Sequence, residues 1–148
     1  MHTTPVKLAT FASLLLASTG CLFANNDATG EWTGSCELSS MGYDYILDVE
    51  LDMEDTGGDL TGTAVAIDTY QIPFMADIIG TRKGKNVEFD LLPQYDTMTG
   101  GDTGFTFGTD FGLDVSFEGT KKKDTIEGEC QLVVFMFALS GDMVLERL

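Results

Sequence analysis

The chain is short of histidine, of cations and of long apolar runs, and each shortage excludes a class of function. Its one histidine is His2, so the rest of the chain has no imidazole to serve as the base for a nucleophile or as a zinc ligand. Lys and Arg number 8 against 24 Asp and Glu, a formal charge of -16. Nucleic-acid binding rests on Lys and Arg displacing counterions, so no nucleic-acid partner is expected. The apolar run from Leu8 to Ala17 is about ten residues, too short to cross a bilayer. No helical period appears after it. At 148 residues, 43% of them hydrophobic, the chain supports one folded domain and is not of the disordered class.

The leading segment has the form of a signal peptide: Lys7 ahead of the apolar run, then small residues. Leu16-Ala17-Ser18-Thr19-Gly20-Cys21 resembles a bacterial lipoprotein signal, with Ser18 where such signals usually carry Leu. That resemblance implies removal of residues 1–20, a lipid on Cys21 and an outer-membrane destination, since Leu22 is not the Asp associated with inner-membrane retention. The alternative is cleavage after Ala24 and release into the periplasm or beyond. Residues 21–29 then form a short linker, and 30–148 the folded domain. Of three cysteines, Cys36 and Cys130 are left to pair in an oxidising compartment or to stand as separate buried thiols.

Period-two alternation organises the domain. Tyr43, Tyr45, Leu47, Val49, Leu51 and Met53 alternate with Asp44, Ile46, Asp48, Glu50 and Asp52, as a half-buried strand requires. The pattern recurs at Val87-Phe89-Leu91 and Leu113-Val115-Phe117. Weaker runs lie near 30–39, 60–67, 76–82, 125–134 and 139–147. Eight strands joined by hairpin-like turns predict an all-β, antiparallel up-and-down barrel. A unit of apolar residue, any residue, then glycine recurs six times, ending at Gly34, Gly62, Gly80, Gly119, Gly128 and Gly141. Glycine on the inward parity removes bulk and lets strands coil tightly, as barrel closure demands.

In a meander the connections alternate between two ends. The charged hairpins near 54–59, 83–86 and 121–124 share one end, the closed end. The connections 40–42, 68–75, 93–110 and 134–138 share the other. This second end is rich in aromatic and Met residues, which reads either as a binding mouth or as a hydrophobic cap. Candidate ligand-binding residues are Tyr43, Tyr45, Tyr70, Phe74, Phe89, Phe105, Phe107 and Leu113, taking an apolar small molecule without a cofactor or metal.

Gly30-Glu31-Trp32 on the first strand and the late Arg147 resemble the calycins, the lipocalin-like barrels, in which such an Arg packs over such a Trp. The resemblance implies that Trp32 and Arg147 plug the closed end, with the cation over the indole face. Avidin-like barrels share the opening but line their ligand site with several tryptophans, and this chain has one.

Two expectations collide. Cys36 and Cys130 fall on strands one and seven, two inter-strand steps or roughly 9–10 Å apart in a flat sheet, whereas a disulfide needs Cα atoms within about 7 Å. Either the bridge or the strand count has to give way. Catalysis is not expected: most of the carboxylates, such as Asp48, Glu50, Glu88 and Asp114, fall on the outward parity, and acid–base chemistry needs them in a cleft. Asp96, Asp102 or Asp110 on the long loop would be the exception. The alternative to ligand binding is a solidly packed envelope barrel that docks a protein.

Overall fold

The computed structural model describes residues 26–71, 73–94, 113–134 and 136–148. The expected signal segment, residues 1–20, and Cys21, Phe105, Phe107, Asp96, Asp102 and Asp110 lie outside these residues. Eight antiparallel strands run in chain order: β1 Gly30–Ser40, β2 Tyr43–Thr56, β3 Asp59–Asp68, β4 Pro73–Lys83, β5 Asn86–Pro93, β6 Leu113–Lys121, β7 Thr125–Val134 and β8 Phe137–Arg147. Each pairs with the next, and β8 closes on β1 from Trp32 opposite Arg147 to Ser39 opposite Ser140. The expected barrel is the observed one.

Alternation in the sequence becomes inside and outside in the wall. On β2, Leu47, Val49, Leu51 and Met53 are buried while Asp48, Glu50, Asp52 and Glu54 are exposed, and each buried leucine contributes about 1.5–3 kcal/mol. Phe89 on β5 sits in register between Gly80 and Phe117. Its ring packs tilted on Phe117 at 5.0 Å between centroids, so glycine on one neighbour leaves room for aromatics on the other. All six unit glycines make close approaches: a Cβ at any of them would collide with a neighbouring strand's backbone or, at Gly119, with the Phe117 ring as well.

Gly141 resolves the cysteine conflict. Cys36 and Cys130 are bridged, with Cα atoms 6.1 Å apart, in a barrel of eight strands. Both earlier inferences hold, and what fails is the flat-sheet spacing that set them against each other. β8 lies between the two strands, with Gly141 directly opposite Cys130 and Leu38. A Cβ on Gly141 would stand 2.6 Å from the Glu37 carbonyl carbon and 3.1 Å from the Leu38 Cα. The wall therefore turns sharply at this point, and the flanking strands converge on its inner side, where the bridge passes over a residue without a side chain.

The outer wall carries a row of like charge. Register places Glu88 opposite Glu118, Glu118 opposite Glu129, Glu129 opposite Asp142, and Asp142 opposite Glu37. Like charges directly opposite one another destabilise a sheet. Glu129→Gln, which neutralises a carboxylate flanked on both sides, is expected to raise the unfolding free energy by about 0.5 kcal/mol. In urea titrations the gain should vanish in molar salt, because screening acts at these distances; a gain unaffected by salt would refute this origin.

Candidate functional site

The two ends of the barrel differ in kind. At the closed end Trp32 is fully buried, and the Arg147 guanidinium lies 4.7 Å from its ring centroid, the stacking the resemblance implied. The indole Nε1 donates to the Ala28 carbonyl at 2.9 Å, and the Ala28 amide donates to Asp55 Oδ2 at 3.0 Å. Residues 26–29 are thus part of the plug. Ala28 is itself a core residue.

Asp55 anchors this arrangement. Its side chain, 1% exposed, is paired with Arg82 and also accepts the Gly58 amide at 2.9 Å. Burial alone would raise its pKa, but the Arg82 bond and the amides of Ala28 and Gly58 outweigh burial and hold it below the usual carboxylate range. Lys121, on the inward parity of β6, is also buried, with Nζ 6.0 Å from the Trp32 ring and donating to the carbonyls of Lys122 and Lys123. Burial first, then the charge of Arg147, push its pKa down. The Lys run had read simply as a charged hairpin, and the parity of Val115, Phe117 and Gly119 was the signal that its first member turns inward.

The aromatic end has no such seal among the described residues. Tyr45, Phe74, Val134 and Leu139 are half-buried and pack against the core from this side. The Tyr45 hydroxyl is hydrogen-bonded to Asp68, an inward carboxylate only 7% exposed. Burial and then the Asp68 charge raise the Tyr45 pKa beyond its ordinary value, so the phenol stays protonated and donates. Asp68 Oδ1 accepts the Tyr70 amide at 2.9 Å, and Thr69 Oγ1 bridges the turn back to Ile46, accepting its amide at 2.8 Å.

The expected site residues therefore divide. Tyr45 and Phe74 are both half-buried against the core, although Phe74 and Met75 lie on β4 and not in a connection, because the strand begins at Pro73. Tyr43 and Tyr70 stand at the rim with their rings out in solvent, at 80% and 76% exposure. Phe89 does not line an entrance: it is core, several residues below the rim and paired with Phe117. Leu113 opens β6 opposite Val134, at this end. β3 runs one residue past the 60–67 run expected from sequence, so Asp68 continues the inward parity of Ala64 and Ala66 and is not part of the connection.

The rim itself is apolar and strained. Met41 and Met136 are almost wholly exposed, and Phe137 is largely exposed, as are Tyr43 and Tyr70. The two non-glycine residues with positive φ among those described, Met41 (48°) and Gln71 (63°), both occupy turns at this end. Such backbone costs about 1 kcal/mol or more and is commonly retained where a surface is used. The two described inward carboxylates, Asp55 and Asp68, sit at opposite ends. Since Leu47 is opposite Asp68, eight residues of β2 separate them, roughly 26 Å, and no group of three His, Cys, Asp or Glu among the described residues is placed to hold a metal.

No protein-family model matches the chain, and no curated protein matches it. Among solved structures the chain is similar to EF1p2_mFAP2b bound to DFHBI, with a TM-score of 0.60 over 81% of this chain and 93% of that one, at 9% sequence identity. At that identity the likeness is one of fold: this chain shares its barrel with a protein that holds a small molecule.

Proposed function

We propose that the protein is an exported, non-catalytic, lipocalin-like barrel that binds an apolar small molecule at its aromatic end. The carrying observation is the contrast between the ends: one plugged by Trp32, Arg147 and the 26–29 strap, the other presenting half-buried Tyr45, Phe74, Val134 and Leu139 beneath an exposed aromatic rim. The Tyr45–Asp68 pair adds one polar group among apolar ones, the mix that orients a ligand in such sites. The two inward carboxylates among the described residues, Asp55 and Asp68, are too far apart to act together, which favours binding over acid–base chemistry. Export through residues 1–20, with Cys21 lipidated or the chain cleaved after Ala24, fits a disulfide between Cys36 and Cys130.

Nile red, a neutral apolar dye, tests the site. The mature protein should enhance its fluorescence saturably, and Phe74→Ala should weaken binding about tenfold, the loss of one partly buried ring. The emission of Trp32 reports that the fold is intact. No saturable binding, or equal binding by Phe74→Ala, would favour the second reading, in which the exposed rim of Met41, Tyr43, Tyr70, Met136 and Phe137 docks a protein above a solidly packed barrel.

A further inference from the structure

Every described cation of this acidic chain stands at one end. Apart from Lys7, the basic residues are Arg82, Lys83, Lys85, Lys121, Lys122, Lys123 and Arg147. They occupy the β4–β5 turn, the β6–β7 turn and the end of β8, all at the closed end. Lys121, Lys122, Lys123, Lys85 and Arg147 line one cleft of about 390 Å³, with Asp124 as its single carboxylate and Asn26 on the side where the chain enters.

The exposed lysines of this cleft are only lightly neutralised. Lys122 pairs with Glu127, and Lys123 lies 3.8 Å from Asp124, both at exposed positions where such pairs are worth little. Lys85 has no carboxylate partner among the described residues. Arg147 Nη2 donates to the Asp27 carbonyl at 3.1 Å, while its Nε is buried and has no hydrogen-bond partner among the described residues. The nearby Asp27 carboxylate accepts the Thr29 amide at 2.8 Å, and its charge partly offsets that of Lys121. Lys121 and Arg147 approach the same indole ring, and their like charges repel, a repulsion that an anion bound in the cleft would offset.

We propose that this cleft is a binding site for a phosphate group. The chemistry selects an oxyanion: four lysines and an arginine line one cleft, and ammonium and guanidinium donors suit a tetrahedral group with three or four acceptor oxygens. A nucleic acid needs an extended basic track, and the row of Glu88, Glu118, Glu129, Asp142 and Glu37 along the wall repels one. The same distribution steers a small anion, since the acidic row on the wall turns it away and the described cations gather here. The phosphate can be free or carried on a lipid headgroup.

The test uses the mature protein with two probes. One is inorganic phosphate, followed by amide chemical shifts. The other is vesicles of phosphatidylcholine with an equal share of phosphatidylglycerol, followed by co-sedimentation against vesicles of phosphatidylcholine alone. Lys85→Gln/Lys123→Gln removes two exposed charges of the cleft and should weaken binding about tenfold. Lys83→Gln, on a side chain outside the cleft, should leave binding unchanged. Phosphate shifts centred on the cleft and lost in the double variant support the site with a free phosphate as ligand. Binding only to the anionic vesicles, lost in the same variant, supports it with a headgroup. Absence of binding to both probes overturns the proposal, and so does an equal loss in Lys83→Gln, which would reveal a diffuse field instead of a site.

Discussion

Reduction of the Cys36–Cys130 bridge is expected to lower the unfolding free energy by about 4–5 kcal/mol. The cysteines are 94 residues apart, and closing a loop of that length removes about 4.7 kcal/mol of chain entropy from the unfolded state. A domain of this size is typically stable by only about 5–15 kcal/mol, so reduction would bring it close to its threshold. The bridge also ties β1 to β7 across β8, the strand that closes the barrel. Hydrogen exchange should therefore accelerate first along the seam pairing Cys36 with Met143 and Ser39 with Ser140. Urea titrations with and without reductant, and of Cys36→Ala/Cys130→Ala, measure the effect. Equal midpoints in both states would show that the bridge does not constrain the fold.

Asp55→Asn is expected to cost about 3 kcal/mol at neutral pH. Removing one partner of a buried ion pair costs about 3–5 kcal/mol. The lower end applies because the Arg82 side chain keeps 18% of its exposure. The sign of the pH effect follows from the depressed folded-state pKa of Asp55. Its stabilisation is complete above the ordinary aspartate value near about 4, and it is lost as pH falls through the lower folded-state value. Wild type should lose stability across that acid window, and Asp55→Asn should show a flatter profile there. Because Ala28 both donates to Asp55 and accepts from the Trp32 indole, the variant should also loosen the plug and shift the emission of Trp32 to longer wavelength. An acid profile identical to wild type would remove Asp55 from this role.

The sequence carried the wall of the barrel more clearly than its ends. Alternation along Tyr43 to Met53 sorts inside from outside wherever one strand face is buried, and the six glycines share one parity because each lies where a neighbouring strand comes too close for a Cβ. Trp32 and Arg147 were legible because the antiparallel closure brings the first and last strands together at a single register. Depth along the barrel axis leaves no such trace. Phe89 and Tyr45 both read as inward, yet one is core and the other half-buried near the rim. Tyr43 has the same parity but extends past the last buried layer. Strand ends are equally faint in sequence: ending β3 a residue early hid Asp68, and a run of three lysines hid the inward Lys121. The bridge and the count of eight strands conflict only under flat-sheet spacing, and Gly141 lets the wall turn sharply where they meet.

The account turns on one end being sealed while the other takes an apolar ligand. A Nile red titration of the isotope-labelled mature protein, followed by two-dimensional NMR, tests this most directly. It should move the resonances of Tyr45, Asp68, Phe74, Val134 and Leu139 together, and leave the Trp32 indole resonance, hydrogen-bonded to Ala28, in place. Shifts centred on Trp32, Lys121 and Arg147, with the Tyr45 and Phe74 resonances unmoved, would contradict it.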